Sequence, residues 1–408
     1  MKIMRYSSKQ LEKIYARRFS RPRRIEERVR KIIEDVRLWG DEALIKYTKK
    51  FDGIKLTPKQ LKVSQIEISA AFQTISPNFV STLKMIIGNI NRFYQKGIKK
   101  SWTIRDADGM VVGENYTPLE KVGVYIPAGT APLVSSVYMT VLPAKIAGVK
   151  KIVLVSPPDK QGNVNPHILV VADLLKVDEI YRIGGAQGIA ALAFGTKTIP
   201  AVDKIIGPGN IYVSEAKRQV FGAVDIDMIA GPTELVIIAN RYSDPKFIAA
   251  DLRAQGEHAG GLAILITNSK AKALEVRTQT ADCPGFIILT ENLKQAAEIA
   301  NRIAPEHLEI LVRNPRRLLK GIKNAGAIFL GPYSPTAVGD YVAGPSHVLP
   351  TQGTARFFSG LSVCDFIKSN HIISYSKKAL EKIKEPLEKV AAIEGLTKHL
   401  DSVKARFE

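Results

Sequence analysis

Glu179-Ile-Tyr-Arg-Ile-Gly-Gly-Ala-Gln-Gly-Ile-Ala-Ala-Leu-Ala-Phe194 changes its period partway along. Glu179–Ile183 reads as a short β-strand. Gly184-Gly-Ala-Gln-Gly188 is a tight glycine turn, and the alanine-rich remainder favours helix. A strand that runs through glycines into a helix is half of a βαβ unit. The same figure recurs on both sides. Val122-Gly-Val-Tyr-Ile126 runs into Pro127-Ala-Gly-Thr, and Ile152-Val-Leu-Val155 stops at Ser156-Pro-Pro. Lys204-Ile-Ile206 enters Gly207-Pro-Gly-Asn210, ahead of a helical run from Tyr212 to Val220. This alternation predicts a parallel sheet wrapped by helices, with ligands at the carboxyl ends of the strands, where the glycine loops sit.

Beyond Met228-Ile-Ala-Gly231 the alternation resumes. Leu235–Ile238, Leu262–Ile266, Phe286–Leu289 and Ala327–Leu330 read as a second set of strands with helices between. The two sets share no sequence repeat. Ahead of them the pattern is helical: Val29, Ile32, Ile33, Val36 and Trp39 fall on one face, closed by Gly40 and Asp41. A second helix carries Leu83, Ile86, Ile87, Ile90 and Phe93. A charged helix from about Lys378 to Ala392 ends the chain, with Gly395 as its breaker. The expectation is two Rossmann-like α/β domains, a helical N-terminal segment and a helical C-terminal tail.

At 408 residues the chain is long enough for roughly two to three domains. No stretch reaches the apolar length of a membrane span, and Met1-Lys-Ile-Met-Arg-Tyr lacks a signal-peptide core. Two cysteines, Cys283 and Cys364, cannot build a disulfide framework. Both read as structural, and a reducing cytoplasm is the expected setting. The net charge of +20 raises nucleic-acid binding as a possibility. The basic residues are spread out, however. The densest group (Arg17, Arg18, Arg21, Arg23, Arg24) adjoins a helix with interleaved glutamates, as a solvated face would. Excess positive charge would also steer an anionic dinucleotide.

Four of the six histidines stand in short polar motifs: His258 in Gln255-Gly-Glu-His, His307 in Pro305-Glu-His, His347 in Gly344-Pro-Ser-His, and His399 after Glu394-Gly-Leu-Thr-Lys. Imidazole in such company is a metal ligand or a general base. Gln255 and His258 share a helix face, and either a metal or plain solvent would suit that helix end. Glu306 and His307 follow a helix-ending proline, where both can face a pocket or a bare surface turn. Asp340 and His347 flank a Gly/Pro loop of functional type. Glu394 and His399 lie about 140° apart on an ideal helix, so they converge only if Gly395 bends the chain. The loops at Gly184 and Gly207 would suit phosphates at helix N-termini. Neither is G-x-G-x-x-G, and no acidic residue stands in an obvious ribose-binding place. His167 and His371 read as fillers.

Asp225-Ile-Asp-Met-Ile-Ala-Gly-Pro-Thr-Glu-Leu-Val-Ile-Ile-Ala239 closely resembles the signature of the histidinol dehydrogenase family. So do Val124–Leu133, Gly184-Gly-Ala-Gln, Gly207-Pro-Gly-Asn-Ile-Tyr-Val, Ala304-Pro-Glu-His-Leu-Glu309, Gly339-Asp-Tyr and His347-Val-Leu-Pro-Thr351. These landmarks follow the family's order from about residue 25 to residue 400.

The resemblance implies a zinc- and NAD-dependent oxidation of L-histidinol to L-histidine through a bound aldehyde. By motif, the zinc ligands would be Gln255, His258, Asp340 and His399, and the acid/base pair Glu306 and His307. Thr233, His347 and Glu394 would hold substrate together with His307 and the metal ligands. Tyr125, Gln187 and Asn210 would touch NAD.

The resemblance also implies an intertwined homodimer in which Glu394 and His399 complete the partner's site. One Rossmann-like domain would be inserted in the other. Residues 1–20 would form an arm, 21–124 with 234–362 the metal and catalytic domain, 125–233 the NAD-binding domain, and 363–408 the exchanged tail. Three positions depart from the family's common residues: Ala259 for Asp, Ser346 for Asn and Thr233 for Ser. Loss of an acid beside a ligand histidine would weaken metal binding. The competing readings are a zinc/NAD dehydrogenase for another amino alcohol or diol, a basic nucleic-acid-binding protein, and a zinc hydrolase. The last leaves the glycine loops unexplained.

Overall fold

A computed structural model describes residues 1–7, 9–17, 23–128, 132–258 and 260–408. Arg18 and Arg21 of the basic cluster, Gly129–Ala131 of the second motif and Ala259 lie outside the described residues. The described chain divides into two compact units, Met1–Gly97 with Leu119–Phe366, and Ile98–Pro118 with Ile367–Glu408.

In chain order the strands are β1 (Lys2–Arg5), β2 (Trp102–Arg105), β3 (Val111–Pro118), β4 (Lys121–Tyr125), β5 (Lys151–Ser156), β6 (Glu179–Arg182) and β7 (Lys204–Ile206). They continue with β8 (Asp225–Ile226), β9 (Glu234–Ala239), β10 (Leu262–Thr267), β11 (Gly285–Leu289), β12 (His307–Ile310), β13 (Ala327–Leu330) and β14 (Ile367–Ser374).

The first unit holds two parallel sheets, ordered β6-β5-β4-β7-β8 and β1-β11-β10-β9-β12-β13. Each is the doubly wound order: the founding strand, β4 or β9, sits centrally, with later strands added on both sides. Their strands are near-continuous runs of Val, Ile and Leu because helices cover both faces. Every residue of β9 is buried, and each buried Ile or Leu there stabilises by about 1.5–3 kcal/mol.

β4 already belongs to the first of these sheets. β1, unforeseen in the sequence, extends the second by pairing with β11 from Lys2↔Phe286 to Arg5↔Leu289. The helix Arg23–Trp39 buries Val29, Ile32, Ile33 and Val36 against the first sheet's helices. Trp39, expected on that face, is exposed. No helix among the described residues is long and apolar enough to cross a membrane.

The second unit is an antiparallel sheet, β14-β3-β2, followed by the helices Lys377–Ile393 and Thr397–Lys404. The sheet too was unforeseen. Asp108 accepts from Lys382 and pairs with Lys378 at 2.7 Å, fixing the start of the first helix. Ser376 caps that helix by accepting from Ala379 N–H at 3.0 Å. Within this unit Ile104, Ile373, Val390 and Ile393 are exposed by 56, 74, 57 and 87%. That is more apolar surface than so small a unit shows to water unless something covers it.

Candidate active site

The crevice of the first sheet opens where its strand order reverses, at the carboxyl ends of β4 and β7. Gly207 ends β7 at φ 116°. A Cβ there would stand 2.2 Å from the Tyr125 carbonyl oxygen, so only glycine lets β7 leave the sheet beside β4. The loop is pinned from below by a buried ion pair. Lys217 donates to Asp227 and, at 3.0 Å, to the Gly207 carbonyl. Asp227 Oδ2 in turn accepts the Gly207 N–H at 2.8 Å. Neither charge was singled out in the sequence.

The three expected dinucleotide contacts are placed differently from one another. Asn210 caps the next helix, accepting from Tyr212 and Val213 N–H at 3.0 and 3.2 Å, and it lines a cavity of about 930 Å³. Tyr125 and Gln187 are buried beneath. The Tyr125 hydroxyl accepts Gly185 N–H at 3.1 Å.

The second sheet meets the same cavity from its amino ends, through Thr233 ahead of β9 and Glu306 ahead of β12. This differs from the usual carboxyl-end rule. The helix Leu293–Ile303 ends with Ala304 in the left-handed region at φ 50°. Pro305 cannot continue a helix, so the chain turns sharply and delivers Glu306 and His307 at the mouth of β12.

Glu306 is fully buried, and Oε2 accepts Glu234 N–H at 3.1 Å. Burial pushes its carboxyl up to about 7. Both ring nitrogens of His307 are buried and have no hydrogen bond among the described residues. Nδ1 lies 3.9 Å from Glu306 Oε2, and Nε2 lies 3.4 Å from Asp340 Oδ1. Burial pulls this imidazole down, but the fields of Glu306 and then Asp340 outweigh it and raise it to about 9. Asp340 responds in reverse. Burial pushes its carboxyl up, while His307, with His347 and His258 beyond, holds it below the ordinary value.

His347 is half-buried between Asp340 and Ser136. Its Nδ1 lies 2.8 Å from the Asp340 carbonyl, which can only accept, so Nδ1 carries the proton. Nε2 then accepts the Ser136 hydroxyl at 3.2 Å. Burial lowers this ring and keeps it neutral.

Gln255 donates from Nε2 to the Thr233 hydroxyl at 2.9 Å, which turns its amide oxygen toward other partners. His258, at the same helix end, lines the cavity. Gln255, His258 and Asp340 thus offer a carbonyl oxygen, an imidazole and a carboxylate held ionised, a mixed N/O set suited to a divalent cation such as zinc. Among the described residues no three His, Cys, Asp or Glu side chains are gathered into a metal site. The expected set draws only two of those types from this unit. Glu394 and His399 belong to the second unit and are exposed there, Glu394 closing the helix Lys377–Ile393 and His399 on Thr397–Lys404. Of the remaining groups, His167 packs edge-on against Phe79, Cys283 is buried and Cys364 exposed.

Behind Glu306 lies an anchor that no motif announced. Arg17 donates to the Glu234 carboxylate and to the carbonyls of Ile14 and Ile303, the latter two at 2.6 and 2.9 Å. Glu234 is 2% exposed and Arg17 16%. Arg17→Met should therefore destabilise the protein by about 3 kcal/mol, because a buried carboxylate loses its cation. Denaturant unfolding of the two proteins measures the difference. A loss below the usual scatter of surface substitutions, about 0.5 kcal/mol, would contradict the anchor.

A family model described as histidinol dehydrogenase matches residues 15–407. The histidinol dehydrogenase of Clostridium acetobutylicum is 49% identical over 397 residues, covering 93% of this chain and 92% of that relative. The one from Listeria monocytogenes is 48% identical over 401 residues, covering 94% and 93%. The crystal structure of histidinol dehydrogenase from Elizabethkingia anophelis superposes with a TM-score of 0.93 at 36% identity, covering 100% of this chain and 98% of that one.

Proposed function

The chain belongs to the histidinol dehydrogenase family, and on that premise we propose that it oxidises L-histidinol to L-histidine in two steps, passing a hydride to NAD in each. This is the last reaction of histidine biosynthesis, and we place it in the cytoplasm. The observation that carries the reading is the buried Glu306, with His307 beside it, at the wall of a cavity shared with the Gly207 loop. A dehydrogenase needs acid/base groups beside its dinucleotide, and Glu306 and the Gly207 loop line one cavity, which supports the reading.

In this reading segment 125–233 carries the dinucleotide through Tyr125, Gln187 and Asn210. Segments 21–124 and 234–362 carry catalysis, residues 1–20 form the arm, and 363–408 form a tail exchanged between two copies. Gln255, His258, Asp340 and the partner copy's equivalent of His399 hold zinc. When bound, the cation would supply a fixed Lewis acid for the substrate's amine and imidazole nitrogens and would cancel part of Asp340's pull on His307. Thr233, His347 and Glu394 orient the substrate's polar groups with the metal ligands.

His307, once neutral, takes the alcohol proton as a hydride leaves the carbinol carbon for the nicotinamide, and the alcohol becomes an aldehyde. Glu306, with a pKa near 7, takes a proton from water as its oxygen adds to the aldehyde carbon, while His307 returns its proton to the aldehyde oxygen, giving the hydrate and a neutral imidazole. His307 then takes a hydroxyl proton from the hydrate as the second hydride leaves for a fresh NAD, and the carboxylic acid that forms loses its remaining proton to give the carboxylate. Closure around the aldehyde protects it from side reactions. No thiol is required, in keeping with both cysteines standing apart from the cavity lining.

The test is NAD reduction by L-histidinol set against a panel of other L-amino alcohols and diols. Turnover confined to histidinol supports the reading, and a preference for another alcohol defeats it. The exchanged tail has its own test. A His399→Ala chain mixed with a His307→Asn chain should recover about a quarter of wild-type activity, because half of random pairs are mixed and each holds one intact site. The exposed apolar residues of the second unit support such a partner. Mixtures as dead as their components would contradict exchange.

A further inference from the structure

β12 buries two more groups than the proposed reaction uses. Alternate strand residues share a face, so Glu309 lies on the face of His307, and it is wholly buried. On the helix Pro245–Gly256, Asp251 precedes Gln255 by one turn and so shares its face. The carboxyl groups of Asp251 and Glu309 meet. Glu309 Oε1 accepts the Thr336 N–H at 3.0 Å, the first N–H of the short helix Thr336–Tyr341 that carries Asp340. Among the described residues Glu309 Oε2 receives no N–H or O–H from elsewhere, so its contact with Asp251 is a hydrogen bond only if the two acids share a proton. Burial first, and Asp251 next, push Glu309 up to about 8. His307, which also faces it, pulls the opposite way. At neutral pH the pair therefore keeps one proton.

We propose that the Asp251–Glu309 carboxyl pair is a positioning device that ties the helix Pro245–Gly256, β12 and the helix Thr336–Tyr341 together at one point, and so sets Gln255, His307 and Asp340 relative to one another. Gln255 lies one helical turn and His307 one strand repeat from the pair, and Asp340 lies one turn from the Thr336 N–H that Glu309 accepts. The pair touches neither substrate nor cofactor and acts through the residues it holds. The inference rests on the roles given to those residues under Proposed function.

Three variants of the full dimeric chain test it: Glu309→Gln, Glu309→Met and Asp251→Ala. Zinc affinity is measured by competition with a chromophoric chelator, with no histidinol or NAD present, alongside thermal unfolding, kcat and KM. Glu309→Met should fold and lose about 10–100-fold in zinc affinity, the usual effect of removing a group that orients ligands. Asp251→Ala, at a half-buried position, should lose affinity likewise, and it stands in if the Met variant does not fold. Glu309→Gln should stay within about threefold of wild type, because its amide accepts from Thr336 and donates to Asp251 as the protonated acid does.

Wild-type stability should fall as pH rises from the ordinary carboxylate range toward about 8, since the folded state holds a proton that the unfolded state has released. Glu309→Gln should make that slope shallower by the share of one proton, leaving the parts that Glu306 and His307 contribute. A folded Met or Ala variant with wild-type affinity overturns the proposal, as does a Gln variant impaired as badly as Met. Wild-type protein that binds no zinc overturns both the pair's role and the metal reading. Protein that binds zinc yet leaves histidinol untouched overturns the functional reading alone.

Discussion

His307→Asn should lower kcat by roughly 10²–10⁴-fold, the usual worth of a positioned general base, with little change in KM. Asparagine keeps polarity and much of the volume of a ring that is 6% exposed and packs 5.8 Å from the Phe329 ring centre. It can still fill the gap between Glu306 and Asp340, but it cannot accept the alcohol proton. The loss therefore belongs to the transition state and not to binding. Steady-state kinetics with histidinol, beside a thermal melt showing the variant folded, measures it. A fall of less than about tenfold would mean that water takes the proton unaided.

Glu306→Gln should separate the two oxidations. The amide still accepts the Glu234 N–H that now binds Oε2 at 3.1 Å, so the turn at Pro305 is kept. Water activation is lost, and aldehyde oxidation should fall by roughly 10²–10⁴-fold. NADH per histidinol should drop from two toward one, with aldehyde captured by an added hydrazine. The first oxidation should survive, because the Glu306 charge is what most raises His307 and its removal favours the neutral base. The pH dependence has a definite sign. In the wild type, aldehyde oxidation should climb as pH rises through about 7, where Glu306 ionises, and that limb should vanish in the variant. Equal loss of both oxidations would contradict this division of labour.

What the sequence made legible follows from burial. Strands such as β5 and β9 lie between helices, so they read as unbroken apolar runs, and the glycine loops advertise the tight exits after β6 and β7. β14 has no such run. Its Lys-Ser-Asn-His stretch pairs with β3 along the backbone ladder, which leaves no trace in hydropathy. β1 is four residues long and depends on β11, far along the chain. At the site, short motifs marked Glu306, His307 and His347 because their chemistry is local. Arg17 and Glu234 stand 217 positions apart, and Asp251 and Glu309 meet from different elements, so no spacing rule could pair them. Their only local signals were an acid opening β9, an acid one turn before Gln255 and an acid two residues beyond His307. Glu394 and His399 point different ways on an ideal helix, and only the family resemblance gave them a role.

The most direct measurement mixes purified, zinc-loaded protein with limiting L-histidinol and excess NAD, and follows NADH and histidine together. Two NADH for each histidine, with no aldehyde released and all turnover stopped by a chelator, is the predicted result. One NADH per histidinol with free aldehyde, or undiminished turnover after complete removal of metal, would contradict the two-step, zinc-positioned oxidation.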